Sequence, residues 1–313
     1  IVLEKNPAHD WSTTFYKTQQ PPQVDRFEFV VIPEDATRLS ALIAGEVDIV
    51  AGTDAVPTDK INSLSNEDGI VVVTRPAVGV YYANLNMTVP PFDDLRVRQA
   101  VNYAVDKDAI VQLVLDGNGA PATNMLASAF GAYTPDVVQY PYDPDKAKAL
   151  LAEAGLEGGF ETTYLNIASP VYQRVAEVVQ ENLAALNITV NLESYPVAEE
   201  IAKGQGGTYG IQFFYYTYSD PDILYLVAHT GEAFEWTRHG DAELDGWLEA
   251  QRVEFDAAKR TELLHQAQKR INENALALLL WEGVYAAAMR DYVSGLDMDL
   301  VGFIHLQEMS RTN

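Results

Sequence analysis

The residue types that could do chemistry in this chain are carboxylates and aromatic rings. Asp220-Pro221-Asp222 follows the run Tyr215-Tyr216-Thr217-Tyr218. Two carboxylates this close could serve as acid and base in glycoside hydrolysis. The same tripeptide is also what a strand-to-helix turn looks like, with Asp220 capping and Pro221 opening the helix. Because the tyrosines occupy consecutive and alternate positions, both faces of a strand end would carry phenols, and Trp236 follows in a loop containing Gly and Thr. Aromatic bodies with polar tips suit a groove for flexible polar ligands. They serve core or interface packing equally well.

Other chemistries find less support. The cluster Gly204, Gly206, Gly207, Gly210 follows a helix and precedes a strand, the reverse of the order that aims a helix N-terminus at phosphate, so it reads as a turn. His9, His229, His239, His265 and His305 show no pair at ligand spacing, so no metal site is expected. No serine sits in a Gly-x-Ser-x-Gly elbow. The absence of cysteine excludes a disulfide scaffold, a Cys-ligated zinc and a thiol nucleophile. No cofactor is expected.

The elements that must position these residues follow from period and punctuation. Asp25 to Ile32 alternates, with Phe27, Phe29 and Val31 on one face, and predicts a half-buried strand. Leu39, Leu42 and Ile43 predict a helix from about Glu34 to Ala44 with Gly45 as its C-cap, followed by a strand at Val47 to Val50. Ile70 to Arg75 and Gly79 to Met87 read as strands broken by Pro76. Pro90-Pro91 marks a domain boundary, after which Asp94 caps a helix whose stripe is Val97, Val101, Ala104 and Val105, with Arg96 and Arg98 turned outward. A second helix from Lys107 to Leu115 leads into a long irregular stretch through Gly119, Pro121, Met125 and Pro135. Asp143-Pro144 opens a helix that ends at Gly155. Thr162 to Asn166, a helix around Val171 to Leu186, and Ile188 to Leu192 compose a βαβ unit with parallel strands. Tyr209 to Tyr216 is a further strand. Helices near Asp241 to Gln251 and Ala257 to Asn274 precede an apolar strand at Ala275 to Trp281.

Length and composition bound the class. The 313 residues are 48% hydrophobic, with no run approaching the roughly 20 apolar residues of a membrane span, so a membrane-spanning or disordered chain is not expected. Forty-five acidic residues against 21 basic ones leave a net charge of −24, which repels phosphate backbones and argues against nucleic acid. Neutral or cationic partners are expected, and the length gives a prior of about two domains. Ile1-Val2-Leu3-Glu4-Lys5-Asn6-Pro7 reads as the inside of a strand rather than a leader, so a piece of a longer polypeptide is expected.

Pro90-Pro91-Phe92-Asp93-Asp94-Leu95-Arg96-Val97-Arg98-Gln99-Ala100-Val101-Asn102-Tyr103-Ala104-Val105-Asp106-Lys107 closely resembles the signature of the family 5 extracellular solute-binding proteins, the dipeptide, oligopeptide and nickel receptors of ABC importers. Four further stretches match in the family's order: Arg38 to Val50, Tyr142 to Gly155, Ser219 to Leu224 and Arg260 to Ile271. The resemblance implies an α/β, two-lobed periplasmic-binding-protein type II-like fold with mixed sheets flanked by helices and part of lobe I missing. Residues 1–89 would be part of lobe I, 90–286 lobe II, and 287–313 the return to lobe I. It implies a non-enzymatic receptor in the periplasm or at the outer face of the cell membrane. This receptor would be a monomer that hands a small solute to an ABC permease, with no nucleic acid partner. By the match, Tyr82 and Asn84 would face the ligand cleft from lobe I, and Tyr216, Thr217, Tyr218 and Asp220 from lobe II. Met125, Tyr172 and Trp236 are further ligand-binding candidates.

One departure bears on the ligand. Peptide-binding relatives carry an aspartate shortly before the Asp-Pro turn that pairs with the ligand's amino terminus, and here that position falls on Thr217 or Ser219. The family's Trp at the same strand end is replaced by Phe214 or Tyr216. A peptide with a free amino group therefore loses its usual counter-ion unless Asp220 or Asp222 substitutes; a peptide is still the ligand expected first, with a small oligosaccharide as the alternative. A secreted glycoside hydrolase using Asp220 and Asp222 is the reading from another class.

Overall fold

Asparate caps and apolar periodicity account for most elements of the computed structural model, which describes residues 1–8, 22–52, 55–299 and 301–312. In chain order the first are β1 (Val2–Glu4), β2 (Arg26–Glu28), α1 (Asp35–Ala44), β3 (Ile49–Val50), α2 (Ile61–Ser65) and β4 (Ile70–Leu85). Then follow α3 (Leu95–Ala104), α4 (Lys107–Ala109), β5 (Ala120–Pro121), α5 (Pro144–Glu153), β6 (Glu161–Ile167), α6 (Pro170–Ala184), β7 (Thr189–Tyr195), α7 (Val197–Gly206) and β8 (Ile211–Tyr216). The last are α8 (Ile223–Ala228), α9 (Ala242–Val253), α10 (Ala257–Glu273), β9 (Ala277–Arg290), β10 (Val293–Ser294) and β11 (Ser310–Arg311). The side chains of Asp94, Asp143, Asp241 and Asp256 each accept a backbone N–H in the first turn of the helix they precede, which satisfies donors that the helix itself cannot. Gly45, at φ 76°, closes α1 as expected.

Several expectations are corrected. β2 is three residues long and pairs only with β1, and Phe29 and Val31 lie exposed beyond it. β4 is a single strand that runs through Pro76, because the fixed φ of proline is compatible with extended backbone and only its missing N–H is lost to the ladder. The last apolar strand continues past Trp281 to Arg290. The helix after Lys107 is one α-turn followed by a π-helical turn at Ile110–Val114. Asp220 and Pro221 form a turn, in which the Asp220 carboxylate accepts the Asp222 N–H at 2.9 Å, and α8 begins only at Ile223. Arg98 is not turned outward. It is 3% exposed, and its guanidinium donates to the carbonyls of Phe92, Asp93 and Asn274 at 2.7, 3.1 and 3.0 Å.

The chain divides into two compact units, Ile1–Ala77 with Val284–Asn313, and Val78–Gly283. The division passes through β4 and β9. In the first unit, β1 pairs with β2, β3 with β9, and β10 with β11, all antiparallel. Its core has one cluster around Leu42, Ile61, Leu64 and Ala288 and another around Tyr285, Met289, Leu296 and Met309. In the second unit the sheet order is β9-β4-β8-β6-β7, with β5 added on β9. β6, α6 and β7 form the expected βαβ unit, with parallel register Glu161↔Thr189 to Ile167↔Tyr195. Val175, Val179 and Leu183 make the buried face of α6. Among the described residues, no helix is long and apolar enough to cross a membrane.

Arg98→Met is expected to lower the unfolding free energy by about 3 kcal/mol, since three carbonyls lose a charged donor. Arg96→Met, at an exposed pair with Asp94, is expected to leave the unfolding midpoint nearly unchanged. Urea titration followed by tryptophan fluorescence measures both.

Candidate ligand-binding site

Two antiparallel strands of the second unit position Tyr82, Asn84 and Tyr216. β4 and β8 pair in the register Val80↔Tyr216, Tyr81↔Tyr215, Tyr82↔Phe214, Ala83↔Phe213, Asn84↔Gln212 and Leu85↔Ile211. Directly opposed residues share a face and successive ones alternate, so this register sorts the aromatic run into two sets.

The odd-numbered face carries Tyr81, Phe213 and Tyr215. Trp281 of β9 stacks on Tyr81 with ring centroids 4.2 Å apart and planes 7° apart, and Tyr215 of β8 stacks on Tyr81 at 4.9 Å. Tyr172, in the first turn of α6, closes on Phe213 at 4.9 Å and on Tyr81 at 6.0 Å. Phe213 and Trp281 are buried, whereas Tyr81, Tyr172 and Tyr215 are half-buried and keep part of their rings accessible. Glycine at 283 matters here, because a Cβ there would come within 2.9 Å of the Tyr81 ring. The cluster is an aromatic platform of the kind that holds planar or apolar groups.

The even-numbered face is different in character. Phe214 meets Trp236 edge-on at 4.7 Å, and Phe234 packs edge-on against Tyr216 at 4.9 Å. Beside these rings the face is polar and sealed. Glu200, in the first turn of α7, is fully buried and its Oε1 accepts from Gln212 Nε2 at 2.5 Å. Gly204, one turn further along α7, allows this approach, since a Cβ there would meet the Gln212 side chain at 2.2 Å. Tyr82 Oη, both side-chain polar atoms of Asn84, Tyr164 Oη, Glu200 Oε2, Gln212 Oε1 and Tyr216 Oη are buried without a hydrogen-bond partner among the described residues. Burial pushes the Glu200 carboxyl up to about 7, against the lowering effect of its bond from Gln212. Burial, with Glu200 nearby, also pushes the phenols of Tyr82, Tyr164 and Tyr216 well above their ordinary value.

The candidates expected to line one surface are thus distributed. Tyr82 and Asn84 lie buried on the even-numbered face, with Tyr216 half-buried at its end. Tyr172 belongs to the opposite platform. Thr217 lies across from Gly79, where a Cβ would meet its methyl group at 2.9 Å, and Tyr218 is 49% exposed beyond the strand. Trp236 is 2% exposed and donates its indole N–H to the Ala233 carbonyl at 3.0 Å, so it is a core residue, as is buried Met125. Tyr81, Phe213, Tyr215, Trp281 and Glu200 were not singled out from the sequence as ligand-binding residues. The Tyr81-Tyr82 and Tyr215-Tyr216 doublets, each sending one ring to either face, and Gly204 one turn after Glu200 were the available signals.

The carboxylate pair is not set up for hydrolysis. Arg260 donates to both oxygens of Asp220, at 2.5 and 3.3 Å, and holds its carboxyl below the usual carboxylate range. Asp222 accepts from Gln251 at 2.5 Å and lies 3.4 Å from Arg252. A glycosidase acid needs a carboxyl that keeps its proton, which an ion pair opposes. Asp220 is therefore also committed to Arg260 rather than free for a ligand. Among the described residues, no group of His, Asp and Glu could hold a metal ion. His229 reaches Glu249 at 3.1 Å and His239 the Ala228 carbonyl at 2.7 Å, while His9 lies outside the described residues.

Glu200 also has a pH signature. Its folded value of about 7 exceeds that of an unfolded glutamate, about 4.3, so the folded state binds the extra proton. This contribution is fully present below about pH 4 and is lost as pH rises toward 7. Glu200→Gln is expected to abolish that decline, on the order of 3 kcal/mol, in urea midpoints compared between pH 4 and 8.

Comparison with known proteins places the chain. Residues 1–237 match the family model described as bacterial extracellular solute-binding proteins, family 5 Middle. The chain is 30% identical over 300 residues to the dipeptide-binding protein of Escherichia coli (strain K12), covering 92% of this chain and 56% of that one. It is 29% identical over 307 residues to heme-binding protein A of Haemophilus influenzae, covering 95% and 54%. The solved structure of HbpA2 from Haemophilus parasuis superposes with a TM-score of 0.81 at 27% identity, covering 93% of this chain and 59% of that one. The chain therefore spans little more than half the length of these relatives. It has the mixed α/β periplasmic-binding-protein fold, and the family matched is one of non-enzymatic solute-binding proteins. With the family model matched over more than half its length, the chain belongs to the family 5 bacterial extracellular solute-binding proteins.

Proposed function

We propose that the full-length protein is the substrate-binding component of an ABC importer and captures a peptide or peptide-like solute in a cleft between two lobes. Residues 1–89 and 287–313 would belong to lobe I and 90–286 to lobe II. The protein would act as a monomer, in the periplasm or at the outer face of the cell membrane, and hand its solute to the permease.

The observation that carries this reading is the half-buried platform of Tyr81, Tyr172 and Tyr215 over Trp281, in a chain of a solute-binding family. Rings fixed by stacking offer contact area at little entropic cost, and their hydroxyls supply orientation. Peptides are favoured because relatives at about 30% identity include a dipeptide-binding protein and a probable di/tripeptide-binding protein of Pseudomonas aeruginosa. An oligosaccharide is the second reading, favoured by Thr217 and Ser219 where a peptide's amino terminus would need an acid.

Native mass spectrometry of the full-length protein purified without refolding is expected to show a carried-over ligand at one per chain. A sugar mass in place of a peptide mass would decide for the second reading. In calorimetric titrations with a peptide panel, binding is expected without any product. Tyr215→Ala should weaken it about tenfold, about 1.4 kcal/mol. Unchanged affinity in that variant would remove the platform from the binding site.

A further inference from the structure

The polar atoms sealed beneath α7 are unusual in number and in kind. They come from four elements: Tyr82 and Asn84 from β4, Tyr164 from β6, Glu200 from α7, and Gln212 and Tyr216 from β8. A buried polar atom left without a partner costs roughly 1–3 kcal/mol, so such groups are rarely gathered without something to bind. Gln212 Oε1 and Asn84 Oδ1 accept, Asn84 Nδ2 donates, the three phenols can do either, and Glu200 Oε2 belongs to a carboxyl that accepts when ionised.

Among the described residues, no side-chain cation pairs with that carboxylate. Lys203, on the same helix, lies over the Tyr195 ring at 4.2 Å. Arg238 turns its guanidinium to the carbonyls of Gln205 and Gly204, at 2.9 and 3.4 Å. Glu235, from the loop before Trp236, is itself acidic and already accepts from Thr237 Oγ1 and the Arg238 N–H, at 2.5 and 2.6 Å. Tyr209, next to the cluster, donates its hydroxyl to the Trp236 carbonyl at 2.8 Å.

We infer that the Glu200 cluster is a binding subsite for a primary ammonium group, with Glu200 as counter-ion and Gln212, Asn84 and the phenols of Tyr82, Tyr164 and Tyr216 as the surrounding hydrogen-bond partners. An ammonium brings a positive charge for the ionised Glu200 carboxylate together with three donors, which Glu200 Oε2, Gln212 Oε1 and the phenol oxygens can accept. Pairing also relieves the cost of an isolated buried carboxylate. Tyr216 is the half-buried member of the cluster. The subsite supplies from α7 the acid that positions 217 and 219 lack. It deepens the receptor reading, on which it rests for the identity of the molecule that carries the ammonium.

Two measurements on the full-length protein keep the subsite and the receptor reading separately testable. The first follows the Glu200 carboxyl carbon by NMR through a pH titration, in methylammonium chloride and in tetramethylammonium chloride at equal ionic strength. Both salts supply a cation, but only methylammonium can donate. Its midpoint is expected about one pH unit lower in methylammonium, since stabilising the charged form lowers the titration. Coincident curves overturn the subsite whatever else the protein binds. The second compares alanyl-alanine with its N-acetylated form by calorimetry. Wild type is expected to prefer the free amine at least about tenfold, and Glu200→Gln to lose that preference. A variant that keeps the preference overturns the subsite and leaves the peptide receptor standing. If neither dipeptide binds wild type, the peptide reading fails, and the NMR titration alone decides the subsite.

Discussion

The register between β4 and β8 is the constraint on which the rest of the candidate site depends. Because side chains alternate with a period of two, pairing Tyr81 with Tyr215 and Tyr82 with Phe214 decides at once which rings meet Tyr172 and Trp281 and which meet Trp236 and Phe234. A slip of one residue would exchange the stacked platform for the sealed polar cluster. Glycines protect that register. A side chain at Gly79 would strike Thr217 and the Tyr216 carbonyl, and one at Gly210 would strike Thr162 and Phe92. The strand ends can come together only where there is no Cβ.

Charge is handled in two opposite ways in the same unit. Acidic residues at helix starts, such as Asp94, Asp143, Asp241 and Asp256, stay at the surface and satisfy backbone donors there. Asp220 and Asp241 are drawn into ion pairs with Arg260 and Arg270. Glu200 and Glu282 are instead carried into the interior with neutral partners, Gln212 for the first and Ser128 for the second. The contrast shows why net charge is a weak guide to a binding site. A fully buried carboxyl such as Glu200 is no part of the surface that a partner first meets.

The aromatic residues divide by the same logic of burial. Trp236, Phe213 and Trp281 are packed from all sides and serve as walls. Tyr81, Tyr172 and Tyr215 retain accessible surface, and their polar tips make that tolerable. A platform of this kind suits the proposed role, because the rigid rings are held by one another before any solute arrives and little ordering remains to be done on binding.

The sequence by itself determined the family, through five motifs in order, and with it the α/β class. It also determined the capped helices and the βαβ unit, because caps and periodicity act over a few neighbouring residues. Pro76 and the Asp220 turn misled it slightly, since neither an extended proline nor a non-capping aspartate can be told locally from a strand break or a helix cap. Tertiary structure alone decided that Arg98 faces inward, that Tyr81 and Tyr215 stand with Trp281, and that Glu200 lies against Gln212. Each of these depends on contacts between residues far apart in the chain, 176 positions in the case of Arg98 and Asn274. Local pattern can say that a residue sits on a face, but only the packed fold can say what lies opposite it.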